Sequence, residues 1–135
     1  MFLLGELMKQ INSFDIDGVI FMGDYDGIYP GPNDVIITGR SIEEFKETEQ
    51  MLKRKGITNS VYYNPLPFDQ KSRESSGKHK GETIARLRAE GINIACHFED
   101  DPIQIKEIRK ILPDIHIIEV KHELVTKENV RHYAE

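Results

Sequence analysis

Ile92-Asn93-Ile94-Ala95-Cys96-His97-Phe98 runs directly into Glu99-Asp100-Asp101 and then Pro102. The first seven residues form a short run, rich in apolar side chains, that suits a buried strand. Three carboxylates follow, and Pro102 fits the first position of a helix. Ile105, Ile108 and Leu112 then recur at helical spacing before Pro113. The order is strand, acidic end, helix.

The same rhythm extends in both directions. Strands are expected at 115–120, 60–63 and 35–37, and more weakly at 11–15, where Asn12 and Ser13 dilute the apolar pattern. Ser41 and Glu44 read as a capping box. Ile42, Phe45 and Leu52 mark one apolar face of the helix behind it, and Gly56 after Lys53-Arg54-Lys55 stops it. A further helix is expected at 81–90, with Ile84 and Leu87 inward and Gly91 ending it. Strands separated by helices imply an α/β fold. The expected form is a three-layer sandwich with a mainly parallel, five-stranded, Rossmann-like sheet and helices on both faces. Two stretches break the rhythm: 21–33 reads as a small flap or hairpin after strand one, and 64–79 as a long surface loop.

A chain of 135 residues has room for one domain, 1–135, that buries roughly two-thirds of its unfolded surface. The net charge of −5 argues against a dedicated duplex-DNA binder, which needs a basic face. Cys96 is the single cysteine, so no disulfide forms within the chain and a reducing, cytoplasmic setting is expected. No apolar run reaches the ~18 residues of a membrane span. Met1-Phe2-Leu3-Leu4 is too short for a signal-peptide core and is expected in a terminal helix or strand packed on the domain.

In open α/β sheets, ligands gather beyond the carboxyl ends of the strands. There the chain places Asp15-Ile16-Asp17-Gly18, Thr38-Gly39-Arg40, Lys78-His79-Lys80 and Glu99-Asp100-Asp101. Several carboxylates on one edge repel unless a cation relieves them, and a site of few carboxylates suits Mg²⁺. Such a site also binds a phosphoryl group, with Thr38 and Lys80 on its remaining oxygens.

On these residues the sequence resembles the haloacid dehalogenase-like (HAD) hydrolase superfamily, over nearly the whole chain. Phe14-Asp15-Ile16-Asp17-Gly18-Val19 looks like the first motif of that superfamily, Ile36-Ile37-Thr38-Gly39-Arg40 the second, Lys80-Gly81-Glu82-Thr83-Ile84 the third and Phe98-Glu99-Asp100-Asp101 the fourth. The resemblance implies a Mg²⁺-dependent phosphomonoesterase with Asp15 as nucleophile. Asp17 would carry protons, and Thr38 and Lys80 would hold the phosphoryl group. The metal would lie on Asp15, Asp17 through its backbone carbonyl, and Asp100, with Asp101 as a paired acid. Gly39, Arg40 and Lys78 are further candidate substrate contacts. Arg40 has a structural ion pair as its alternative, and Lys78 competes with Lys80 for the third motif. The sequence departs from the pattern at Gln104, where a further acid is frequent, and in its less apolar first strand.

Two rivals fall on spacing. An EF-hand loop starting at Asp15 would need a ligand and a glycine where Val19 and Ile20 stand. A receiver domain would place its acidic residues, threonine and lysine in another order. Only 22 residues separate Asp15 from Thr38, and 41 separate Thr38 from Lys80, so a cap domain has no room and an open site is expected. That layout is similar to the phosphatase half of polynucleotide kinase–phosphatases. Lys71, Arg73, Lys78 and Lys80 against Glu74 make 71–80 basic, a rim suited to a nucleic-acid phosphate end or a phosphorylated small molecule. The second functional class is a non-catalytic phosphate- or partner-binding module that keeps the fold.

Overall fold

The computed structural model describes residues 10–125. The expected packing of Met1-Phe2-Leu3-Leu4 lies outside them. Five strands form one sheet: β1 (Gln10–Phe14), β4 (Val35–Ser41), β5 (Val61–Asn64), β6 (Asn93–Glu99) and β7 (His116–Glu119). β2 (Phe21–Met22) and β3 (Tyr25–Asp26) make a separate antiparallel hairpin, the flap expected after strand one. The sheet order is β5-β4-β1-β6-β7, and every pairing in it is parallel. β1 is central because the chain first winds outward through β4 and β5 and then returns to β6 and β7. This order makes the carboxyl end of β1 a crevice between diverging crossovers.

The helices are α1 (Phe45–Arg54), α2 (Arg73–Ala89) and α3 (Pro102–Ile111). Alternation along β4 divides the core between the two faces of the sheet. Ile36 packs with Met51 and Leu52 of α1, while Val35 and Ile37 pack with Ile84 and Leu87 of α2 and Ile108 of α3. The fold is α/β, with a mainly parallel five-stranded sheet and helices on both faces. Among the described residues, no helix is long and apolar enough to cross a membrane.

Three expectations change. The stretch 64–79 is mostly helix: α2 begins at Arg73, capped by Ser72, whose hydroxyl accepts the Ser75 N–H (3.1 Å). Its inner face begins with Ser76, Gly77, Lys80, Gly81 and Thr83, so the apolar period that announces a helix starts only at Ile84. Two of those residues permit close packing on α3, since a Cβ at Gly77 would lie 2.8 Å from the Gln104 Cα and one at Gly81 3.0 Å from Ile111 Cδ1. The apolar face expected for α1 is also rotated. The capping box at Ser41 and Glu44 forms, but it opens a 3-10 turn, Ile42–Glu44, and Ile42 and Phe45 are 48% and 51% exposed. Glu44, Thr48, Met51 and Leu52 turn inward instead. Finally, β4 runs on to Ser41, so Thr38-Gly39-Arg40 lies within the strand. Its pairing with β5 jumps from Ile37↔Tyr62 to Ser41↔Asn64, and this irregularity re-aims the side chains between.

Candidate functional site

At the carboxyl end of β1, Phe14 stacks on Phe98 of β6, with ring centroids 4.4 Å apart, and the Asp15 N–H donates to the Phe98 carbonyl (3.1 Å). The ladder thus extends one residue past the strand and fixes Asp15 beside Glu99. The chain then reverses through a turn in which Val19 and Phe21 donate their N–H groups to the Ile16 carbonyl (3.1 and 2.8 Å). Ile16, Val19 and Ile20 are fully buried and anchor it. Gly18 has φ +89°, and a Cβ there would fall 1.8 Å from Asp100 Oδ2. Only glycine allows both that backbone and that approach.

Lys80 reaches the same point from the inner face of α2. It is 0% exposed, and its Nζ donates to Asp15 Oδ1 (2.9 Å) and Glu99 Oε1 (2.7 Å). A buried ammonium is tolerated only with such partners. The third motif lysine expected from the sequence is therefore placed against Asp15. Lys78 is exposed on another side of the helix and does not join the cluster.

The motif pattern points to no role for Glu99, yet this residue organises the floor of the site. His97 Nε2 lies 3.1 Å from Glu99 Oε1, and its Nδ1 lies 2.7 Å from Ser13 Oγ; all three residues are fully buried. A carboxylate only accepts, so His97 Nε2 carries the proton toward Glu99. Ser13, a polar residue that weakens the expected first strand, belongs to this line from β1 through His97 and Glu99 to Lys80 and Asp15. Its hydroxyl could be found in the sequence only by knowing that Ser13 pairs with His97 across the sheet.

Asp15, Glu99 and Asp100 each offer a carboxylate oxygen within 4.8 Å of the others. At an effective dielectric of about 20, two unit charges at that spacing repel by about 3 kcal/mol, and Lys80 offsets only part of this. Hard oxygen donors, excess negative charge and a glycine-lined approach fit a hard divalent cation. Asp100 is held by His122, whose Nε2 lies 2.7 Å from Asp100 Oδ2. The His122 Nδ1 accepts the Leu124 N–H (3.1 Å), so Nε2 is the protonated nitrogen and donates to Asp100. No motif points to His122, which follows the last strand.

Of the other two expected metal ligands, Asp101 has its carboxylate engaged elsewhere, while Asp17, expected to serve through its backbone carbonyl, has only its carboxylate taken. Asp17 is forked by Arg40, with Nε to Oδ2 at 3.0 Å and Nη2 to Oδ1 at 2.7 Å. Arg40 is itself buried and also donates to Thr48 Oγ1 of α1 (3.2 Å), so the ion-pair alternative for Arg40 describes its position. Asp101 caps α3 by accepting the Ile103 N–H (3.0 Å). Arg73 forks it (2.9 and 2.6 Å), and Gln104 donates to it (3.1 Å). Burial pushes the Asp101 carboxyl up, but the Arg73 fork and the helix amide outweigh that and hold it below the usual range. Asp101 is a cap and a clamp between α2 and α3, outside the Asp15–Glu99–Asp100 group.

Thr38 is fully buried, and its Oγ1 accepts the Arg40 N–H (3.0 Å). Gly39 packs on α2, where a Cβ would come 2.6 Å from Ser76 Oγ. The basic rim is largely neutralised: Arg73 is taken by Asp101, and Lys71 Nζ lies 3.7 Å from Glu44 Oε1 and 5.1 Å from the Phe68 ring centroid. Burial draws the Lys71 ammonium pKa down, and the nearby Glu44 carboxylate opposes that. Asp24, Tyr25 and Asp26 stay solvent-exposed on the hairpin. Compared with family models, curated proteins and solved structures, the chain matches none.

Proposed function

We propose that the chain is a phosphomonoesterase of the HAD-like kind, using Asp15 as nucleophile and a divalent cation, Mg²⁺ by its hard oxygen donors, on Asp15, Glu99 and Asp100. One observation carries this: a fully buried lysine holds one oxygen of Asp15 within a cluster of three carboxylates at the carboxyl end of the central strand. Lys80 sets the rotation of the Asp15 carboxylate. An Asp15 oxygen attacks phosphorus as the bond to the ester oxygen breaks, and Asp17 hands that leaving oxygen a proton. Water then attacks the phosphorus of the acyl phosphate, Asp17 takes its proton, and phosphate leaves with Asp15 restored. The cation, when bound, supplies charge neutralisation for the phosphoryl oxygens. Glu99, itself held by His97, holds Lys80, while Thr38 and Lys71 border the phosphoryl position. Because its single cysteine, Cys96, is free and buried, we place the protein in the cytoplasm.

The Asp17–Arg40 fork favours a second reading. Both Asp17 oxygens accept guanidinium N–H groups, so proton transfer requires Asp17 to leave the fork. A protein in which it never does would bind phosphate without turning it over. Hydrolysis of p-nitrophenyl phosphate decides between the two. The expected result is Mg²⁺-dependent turnover that EDTA removes, that Asp15→Asn abolishes, and that Asp17→Asn slows by about 10²–10⁴-fold. Near wild-type turnover by Asp15→Asn would overturn Asp15 as the nucleophile, and phosphate binding without any turnover would establish the module.

A further inference from the structure

β5 is an edge of the sheet, and a groove runs between it and the outer face of α2. Its first chamber, about 380 Å³, is walled by Asn64, Pro65, Ser75, Lys78, Glu82 and Arg86, among others. A second, about 320 Å³, shares Pro65, His79 and Arg86 with the first and continues along Ile42, Tyr62 and Tyr63. Ser75, Lys78, His79, Glu82 and Arg86 recur at steps of three and four, one face of the helix. Chambers of this size lie in the range of small-ligand pockets.

The two ends differ in chemistry. Asn64, at the end of β5, is 1% exposed, and its Oδ1 accepts the Leu66 N–H (3.1 Å). That contact settles the orientation of the amide, because a flipped side chain would set one N–H against another. Its Nδ2 is buried and has no hydrogen-bond partner. A buried donor without an acceptor is costly, and a ligand acceptor relieves it. Lys78, Arg86 and one carboxylate, Glu82, line the same chamber. His79 is a neutral neighbour: burial brings its pKa down to about 4, and its Nδ1 lies 3.3 Å from Thr83 Oγ1. The other end is apolar and aromatic, with Ile42 exposed at its rim.

We propose that this groove is a second ligand site, taking a monophosphate ester with a flat apolar body, the class of a nucleoside monophosphate. The phosphate lies at Asn64, Lys78 and Arg86, and the body lies along Tyr62, Tyr63 and Pro65. The site stands apart from the hydrolase chemistry, since Lys80 leaves α2 on the inner face.

The test titrates AMP, inorganic phosphate and adenosine separately into the Asp15→Asn protein by calorimetry, so that no turnover is required. AMP is expected to bind more tightly than either part. Arg86→Ala is expected to weaken AMP about tenfold, as for a lost charge-assisted contact. Asn64→Asp keeps the acceptor for Leu66 but turns a carboxylate on the anion, and is expected to weaken AMP at least as much. Lys78→Ala, at an exposed position, provides the same test should Asn64→Asp fail to fold. Absence of AMP binding, or equal binding by parent and variants, overturns the site. Equal affinity for AMP and phosphate overturns the assignment of the flat body. Failure of the wild-type protein to hydrolyse phosphate esters bears on the hydrolase alone.

Discussion

Lys78 and Lys80 leave the same turn of α2 and enter opposite surroundings. Two residues apart on a helix means about 200° of rotation. Lys80 therefore points into the sheet, fully buried, between Asp15 and Glu99, whereas Lys78 stands exposed on the groove beside β5. In the inner region Lys80 donates to two carboxylates, Glu99 accepts from His97 and Asp100 accepts from His122. The outer region keeps one buried amide without an acceptor and two cations against one carboxylate. Residue type therefore says little about a lysine's task. Helix phase relative to the sheet decides it.

Removing each lysine in turn is expected to have the most unequal consequences. Lys80→Met leaves carboxylates buried without their ammonium, and urea unfolding is expected to show a loss of about 3–5 kcal/mol. Lys78→Met is expected to stay within about 0.5 kcal/mol of the parent. Similar losses for both would mean that Lys80 is not held as described.

A second test separates the neighbouring acids of β6 and α3. If Mg²⁺ binds the folded cluster, as proposed, it raises the melting temperature. Asp100→Asn is expected to abolish that rise. Asp101→Asn is expected to cost about 1–2 kcal/mol through the lost Arg73 fork, while keeping the Mg²⁺-induced rise. The reverse pattern would return Asp101 to the metal site and remove Asp100 from it.

The smallest expected effect concerns the outer face and its pH dependence. His79 has a folded pKa of about 4, below its ordinary 6.5, because burial disfavours the charged ring. Between those values the unfolded chain binds more protons, so this contribution is full above pH 6.5 and is lost as pH falls toward 4. In a partly open groove the effect is discounted to about 1 kcal/mol, a few degrees in melting temperature. His79→Gln is expected to flatten the melting-temperature profile across that window. An unchanged profile would show that the ring is not buried in its neutral form.

Much of the scaffold is legible in the order of residues alone. All five sheet strands lie within a residue of their expected starts, because short apolar runs bounded by turn residues have few other uses in a chain this size. The capping box at Ser41, the hairpin after β1 and the inward Ile84, Leu87, Ile105 and Ile108 are legible for the same local reason. Asp15 and Lys80 are legible as members of spaced motifs. The first half of α2 is not, since its inner face spends its positions on Ser76, Gly77, Lys80 and Gly81. Nor is the turning of α1, where the inward Glu44 and Thr48 serve Lys71 and Arg40.

The parallel α/β architecture and the collection of acids, threonine and lysine at one edge follow from periodicity and from where strands end. Which partner each acid meets follows instead from packing between distant elements. Glu99, Asp100 and Asp101 are consecutive, yet one faces Lys80, one faces His122 and one caps α3 toward Arg73. Backbone direction turns each neighbouring side chain toward a different element, and its partners come from residues 19 to 28 positions away in the chain. No local pattern carries that distance, so pairing and burial alone separated a cluster fit for a cation from the clamp beside it.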